Sequence, residues 1–248
     1  MEAALKAGAY IKRNVGKHLS VRYKGEINVV THVDKNAERI IVERIKKSFP
    51  CHAILAEEKN YAKVQSDFKW IIDPLDGTTN FLHGFPFFCV SVALFHKEKP
   101  LFGVVYDPEK NELFTGECGK GAYLNRKRIG VSKIRELKKS MLVTGFAYNV
   151  KSARNNNIEN FTRFLKASQA VRRAGSAALD LCYVACGRFD GFWELYLNPW
   201  DMAAGALILE EAGGKITQFD GSPFTVYDKE LLASNSKLHS QMIRVLQR

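Results

Sequence analysis

Apolar positions recur at helical spacing near the start of the chain and gather into short strand-like runs after it. Ala37, Ile40, Ile41, Ile45 and Phe49 mark one face of a helix predicted over about residues 34–48, behind a first helix over about 3–15. Strand signals follow at 53–56, at a buried run ending in Trp70-Ile71-Ile72, and at 87–95 and 101–106, which His96-Lys97-Glu98-Lys99-Pro100 joins as a hairpin; 112–115 extends that meander. From Ser140 short strands alternate with helices. The strands are 141–144, 170–172 and 189–195; the helices are 156–167, 176–186 ending at Gly187, 201–212 stopped by Gly213-Gly214, and about 237–246. The pattern predicts a single unit of two packed lobes, an α+β lobe over 1–139 and an α/β lobe over 140–248.

With 248 residues the chain can bury roughly 70–75% of its unfolded surface, so it needs no staples. Cys51, Cys89, Cys118, Cys182 and Cys186 are odd in number and form no CxxC pair, and the chain opens Met-Glu without an apolar leader, which together point to a reducing cytoplasm. No apolar run approaches the roughly 20 residues of a membrane helix. The net charge of +11 is uneven: residues 1–140 carry 25 Lys+Arg against 16 Asp+Glu, and the remainder 12 against 10. These cations are scattered among helices rather than interleaved with aromatics, so a solvated basic surface is favoured over a nucleic-acid interface.

The chemistry concentrates in Trp70-Ile71-Ile72-Asp73-Pro74-Leu75-Asp76-Gly77-Thr78-Thr79-Asn80. Two carboxylates stand three residues apart where an apolar strand ends, and Pro74 predicts a turn there. Gly77 permits a positive-φ step, and Thr78, Thr79 and Asn80 bring hydroxyls, an amide and backbone N–H groups of the kind that receive an oxyanion. Acids beside an anion nest repel it unless a hard cation lies between, and Mg2+ suits carboxylate and phosphate oxygens. A plain Asp-Pro-x-Asp-Gly turn is the bland alternative. Likewise Asp201 and Asp34 open helices and could serve only as N-caps, and Glu57-Glu58 could be a solvated loop after an apolar strand.

This segment resembles the first signature of the inositol monophosphatase family. Trp200-Asp201-Met202-Ala203-Ala204-Gly205, continuing to Glu210-Glu211-Ala212-Gly213-Gly214, resembles the second. The likeness runs from Lys24 through Val30-Thr31, Asp34, Ile54-Leu55-Ala56-Glu57-Glu58 and Gly175-Ser176-Ala177 to Ala233-Ser234-Asn235. It implies an α/β fold, an α+β layered sandwich of alternating helices and sheets like that of fructose-1,6-bisphosphatase, working as one catalytic unit in a homodimer. It further implies a lithium-sensitive, Mg2+-dependent phosphatase that hydrolyses inositol monophosphate or a similar small polyol phosphate through a metal-activated water.

The resemblance also assigns residues. Glu57, Asp73 and the Leu75 carbonyl would hold one Mg2+; Asp73, Asp76 and Asp201 would hold a second; a third, weaker ion would lie near Glu57. Thr78 would orient the water with Asp34 behind it as proton acceptor, and the Gly77 and Thr78 amides would receive phosphate oxygens. Glu194, Gly175, Ser176 and Ala177 would contact the polyol, and Lys24 would supply a basic loop near the metals. Asn28 stands where relatives commonly carry Asp, and the loop after Lys24 is one residue short, which bears on the third ion. Relatives with the same signatures hydrolyse fructose 1,6-bisphosphate, histidinol phosphate or 3'-phosphoadenosine nucleotides; for a second phosphate Arg172 and Arg173 are the candidate cations. Some bacterial relatives act instead with the transcription machinery in antitermination, a role that the basic first lobe would serve through RNA.

Overall fold

Neighbouring residues on the strands face different apolar cores, and this alternation builds the fold layer by layer. Ile71 and Ile72, Val104 and Val105, Leu142 and Val143, Phe192 and Trp193, and Leu231 and Leu232 each divide between two cores. The computed structural model describes residues 1–17, 21–23, 29–62 and 64–247, without the side chains of 21–23. Lys24 and Asn28 therefore lie outside the described residues.

The first elements are α1 (Glu2–Lys12), β1 (Val21–Tyr23), β2 (Val29–Thr31), α2 (His32–Ser48), β3 (Ala53–Ala56), β4 (Phe68–Asp76) and α3 (Thr78–Leu82). A meander follows: β5 (Cys89–His96), β6 (Lys99–Asp107), β7 (Glu112–Glu117), β8 (Gly121–Leu124) and β9 (Lys127–Arg128). The remainder is β10 (Met141–Thr144), α4 (Ile158–Ala167), β11 (Ala170–Arg172), α5 (Ala177–Ala185), β12 (Gly191–Leu195), α6 (Pro199–Glu211), β13 (Lys215–Thr217), β14 (Glu230–Ser234) and α7 (His239–Leu246).

β3 to β9 form a seven-stranded sheet in chain order, in which only the β3–β4 pair is parallel. The second sheet has the order β11-β10-β12-β14-β13, parallel among the first three strands and antiparallel beyond. α1 and α2 cover one face of the larger sheet, α5 and α6 fill the space between the sheets, and α4 and α7 cover the outer face of the smaller. The fold is thus a layered α/β sandwich. α6 is apolar around its whole circumference, as a helix buried on all sides must be. It lies directly on the larger sheet, where a Cβ on Gly103 would stand 2.9 Å from the Ala204 carbonyl and one on Gly116 3.0 Å from Ile208 Cα.

Several boundaries differ from expectation. β4 does not turn at Pro74: the strand runs on to Asp76 with a bulge between Asp73 and Asp76, and the reversal falls at Gly77. Neither Asp34 nor Asp201 is an N-cap. Thr31 and Asn198 are the caps, and each Asp is the N3 member of a capping box that accepts the cap residue's backbone N–H. Pro199 takes the first helical position, where its missing N–H costs nothing. Residues 87 and 88 precede the strand predicted to include them, and the first helix ends at Lys12. Among the described residues no helix is long and apolar enough to cross a membrane.

Candidate active site

The end of β4 delivers two acids to the edge of the helix layer. Asp73 is buried, pairs opposite Ser91, and accepts the Leu75 N–H at 2.9 Å, the local turn that the bulge permits. Asp76, opposite Cys89, accepts the Ser176 hydroxyl at 2.7 Å and the Ala178 N–H at 2.8 Å, both on Oδ2. Gly77 then adopts φ 91°, and a side chain there would press on the Phe87 carbonyl at 2.9 Å, so glycine is required twice over. α3 starts at Thr78, whose hydroxyl lies 2.9 Å from Asp34 Oδ1 and 3.0 Å from the Leu75 carbonyl.

Asp201 arrives from the other direction, on the first turn of α6. Its Oδ2 accepts the Asn198 N–H at 2.7 Å. Glu57 follows β3 and donates its backbone N–H to the Ile72 carbonyl at 3.3 Å. Its charge is felt at both Asp73 and Asp201. Burial and the acids' own charges set the electrostatics here. Burial pushes Asp73 well above the usual carboxylate range, and Glu57, Asp76 and Asp201 push it further. Burial and then Asp76 raise Asp201 to about 8. Asp76 is raised only to about 6, because the Ser176, Ala178 and Gly77 donors oppose burial. Among the described residues no Lys or Arg forms an ion pair with Asp73, Asp76 or Asp201.

Such a donor set fits a hard divalent cation: charged oxygens, a nearby carbonyl, and a repulsion that a cation would reverse. Among the described residues no three His, Cys, Asp or Glu side chains are gathered closely enough to hold an ion alone. An ion here would complete its shell with water and substrate oxygens, which is the habit of Mg2+.

A cavity of about 160 Å3 opens beside these acids. Gly77, Thr78 and Asp76 line one part, Gly175, Ser176 and Ala177 another, with Glu194 and Asp201 beside them. Glu194 is buried on β12, and burial followed by the nearby Asp201 and Asp76 holds its carboxyl well above the usual range. Arg173 reaches the cavity, whereas Arg172 is exposed and donates to the neighbouring Val171 carbonyl at 3.1 Å.

Gly145 and Tyr148 escaped the sequence reading, and Asn80, read there as part of an oxyanion-receiving segment, has a different task. A Cβ on Gly145 would overlap both carboxyl oxygens of Glu194, so this glycine makes room for the acid; its only signal was a Gly directly after a predicted strand. Asn80 donates to the Phe87 carbonyl at 2.7 Å and the Ala174 carbonyl at 2.8 Å, pinning the 174–175 loop to the first signature in which Asn80 itself lies. Tyr148, 54% exposed at the rim, has its phenol pushed up to about 12 by burial of the hydroxyl end and then by Glu57, Asp76, Asp201 and Asp73. No spacing rule points to it.

A family model described as the inositol monophosphatase family matches residues 1–248. The chain belongs to that family. It is a phosphatase by that membership, 48% identical over 247 residues to an inositol-1-monophosphatase of Synechocystis sp., covering 99% of this chain and 86% of the relative. It is 45% identical to the Nus factor SuhB of Vibrio cholerae, over 96% of this chain and 90% of that one. The solved inositol monophosphatase from Anabaena superposes with a TM-score of 0.91 at 46% identity, covering 99% and 92% of the two chains. A solved IMPase/NADP phosphatase complexed with Mg2+ and phosphate superposes with a TM-score of 0.85 at 26% identity, covering 97% and 91%.

Proposed function

We propose that this family member is a Mg2+-dependent phosphomonoesterase that releases inorganic phosphate from inositol monophosphate or a similar small polyol phosphate. The observation that carries the reading is the gathering of the carboxyls Asp73, Asp76 and Asp201, with which no Lys or Arg among the described residues forms an ion pair, beside a cavity that also holds the acid Glu194. The Mg2+ and phosphate in the solved IMPase/NADP phosphatase support it. Glu57, Asp73 and the Leu75 carbonyl would hold one ion, Asp73, Asp76 and Asp201 a second, with a third, weaker one near Glu57. Bound Mg2+ would acidify a water and offset charge on the departing oxygen.

The chain's own groups do the rest. Thr78, held by Asp34, orients the attacking water, and Asp34 stands behind it to take a proton. The Gly77 and Thr78 amides receive phosphate oxygens. Glu194 accepts hydrogen bonds from polyol hydroxyls, while Gly175, Ser176 and Ala177 present backbone groups to the ring. Lithium sensitivity and a homodimer belong to the same reading. Phosphate release from inositol 1-phosphate, fructose 1,6-bisphosphate and p-nitrophenyl phosphate, each with Mg2+ and with EDTA, tests it. Absence of Mg2+-dependent release from all three would overturn it.

A second reading, binding to RNA within the transcription machinery, draws on the name of the Vibrio relative and on the excess of nine positive charges in residues 1–140. A gel shift against RNA, with and without RNA polymerase, tests that role separately from turnover.

A further inference from the structure

Ser176 has one hydroxyl proton and three neighbours. Asp76 Oδ2 lies at 2.7 Å, Cys89 Sγ at 3.6 Å and the Leu179 backbone N–H at 3.4 Å. An ionised carboxylate only accepts, so the proton goes to Asp76, and the Ser176 oxygen accepts from Leu179 and from the buried Cys89 thiol. As the N-cap of α5, Ser176 makes a long bond to the helix it caps and a short one to the acid. By distance its stronger partner is Asp76.

The Ala178 N–H, from the first turn of α5, reaches the same Asp76 oxygen at 2.8 Å. Two donors on Oδ2 occupy both of its lone pairs. They also fix the carboxylate plane, because both come from one rigid helix end while Asp76 sits on β4. Asp76 Oδ1 accepts neither of these two donors; the adjacent Gly77 N–H also acts on this carboxylate. Ser176 is therefore unsuited to offer its hydroxyl to substrate, and only its backbone faces that task.

We propose that Ser176 is a positioning residue for Asp76: with the Ala178 N–H it claims Oδ2 and presents Oδ1 to the cation that Asp76 shares with Asp201. The inference rests on the two-ion reading above. It makes α5 a determinant of the affinity of that ion site, through a contact that joins the helix layer to the seven-stranded sheet.

The test uses metal-stripped full-length protein with Mn2+ as the probe, bound ions being counted by EPR, with thermal unfolding recorded alongside. Ser176→Ala and Ser176→Gly should each weaken one of the Mn2+ sites, that of Asp76 and Asp201, about tenfold, the size of a lost hydrogen bond. Ser176→Thr, which keeps the hydroxyl, should stay within about twofold of the unsubstituted protein. A role in helix capping alone gives another pattern: glycine is nearly as good an N-cap as serine, so Ser176→Gly would recover what Ser176→Ala lost. Unchanged Mn2+ affinity in Ser176→Gly, or a Ser176→Thr protein as weak as Ser176→Ala, would overturn the proposal. If Ser176→Ala does not fold, the glycine and threonine proteins carry the comparison. Failure of the unsubstituted protein to bind Mn2+ would instead remove the two-ion reading and this inference with it, and the first titration shows which has failed.

Discussion

Asp34 and Thr78, 44 positions apart, are joined by a 2.9 Å hydrogen bond from the Thr78 hydroxyl to Asp34 Oδ1. The other oxygen of Asp34 accepts the Thr31 N–H at 2.8 Å and the Thr31 hydroxyl at 2.5 Å. One carboxylate thus closes the capping box of α2 and orients the first residue of α3. The Leu75 carbonyl, 3.0 Å from the same Thr78 hydroxyl, competes for its single proton with a stronger, charged acceptor. The carbonyl keeps its lone pairs for another partner.

Asp34→Asn separates the two duties. An amide retains one acceptor, which can still serve the cap, but turns an N–H toward Thr78 and reverses that bond. Stability should fall by about 1 kcal/mol, the usual scale of a damaged cap. Phosphate release should fall at least about tenfold, which is ~1.4 kcal/mol in the barrier. Calorimetry and steady-state assays at saturating Mg2+ check both. Activity that falls only in proportion to unfolding would show that Asp34 merely caps α2.

Asp73→Asn and Asp76→Asn should abolish turnover without weakening the metal-free fold. Each removes a charge that burial opposes, as Glu57, Asp76 and Asp201 also do at Asp73, and almost no volume. The melting temperature in EDTA should therefore hold or rise, while the increase given by Mg2+ should shrink or vanish. Asp73→Asn should be the more severe, since Asp73 is assigned to both ions. Substantial turnover in either variant would contradict the ligand assignment.

Burial of these carboxyls fixes a pH dependence for the metal-free protein. Asp76 and Asp201 are raised in the fold to about 6 and about 8, so between about pH 4 and pH 8 the folded state binds more protons than the unfolded one. Their contribution is complete below the unfolded carboxylate value and is lost as pH rises through the folded ones. The gap in melting temperature between Mg2+-loaded and EDTA-treated protein should widen from pH 4 to pH 8. A gap independent of pH would mean that these carboxyls do not bind the ion.

His239 runs in the opposite direction. Thr217 donates its hydroxyl to the Gln218 carbonyl at 2.6 Å, so toward His239 Nε2, at 2.8 Å, it can only accept. Nε2 must carry the ring proton, and Nδ1 accepts from Ser234 at 2.9 Å. Burial, then Lys215, pushes the imidazole down to about 4. Folding therefore disfavours protonation, and stability drops as pH falls from about 6.5 toward 4, by at most ~1.4 kcal/mol per pH unit. The stability advantage over His239→Gln should shrink across that window. A constant difference would show that the imidazole does not titrate in this way.

The first signature was legible because local rules stack there: an apolar strand, Pro, Gly and a run of hydroxyls leave few conformations open. Even so, the place of the turn was misjudged, since β4 absorbs Pro74 in a bulge that only the ladder with β5 reveals. The N-cap alternative for Asp34 and Asp201 arises from starting each helix at the Asp, whereas α2 starts at His32 and α6 at Pro199. β9 is two exposed residues, Lys127–Arg128, and carries no alternation to detect. β13 and β14 are set by pairing in the order β12-β14-β13, which chain order does not encode. Gly145 acts through space on Glu194, 49 residues away, and no spacing within the chain could have announced it.

That contact yields a test of substrate rather than of chemistry. Gly145→Ala places a methyl group where the Glu194 carboxyl lies, so the acid must move while the metal-assigned carboxyls stay in place. Glu194→Gln leaves the shape intact but replaces one accepting oxygen by a donor. If Glu194 receives polyol hydroxyls, each hydrogen bond lost to a charged group costs about 1.5–3 kcal/mol. Both variants should then lose roughly tenfold or more in kcat/KM on inositol 1-phosphate. On p-nitrophenyl phosphate, which has no such hydroxyls, they should stay close to the unsubstituted enzyme. The pair controls for displacement, because Gly145→Ala moves the acid and Glu194→Gln does not. Equal losses on the two substrates would mean that Glu194 supports the Asp201 segment instead, and the polyol pocket would have to be sought elsewhere on the cavity wall.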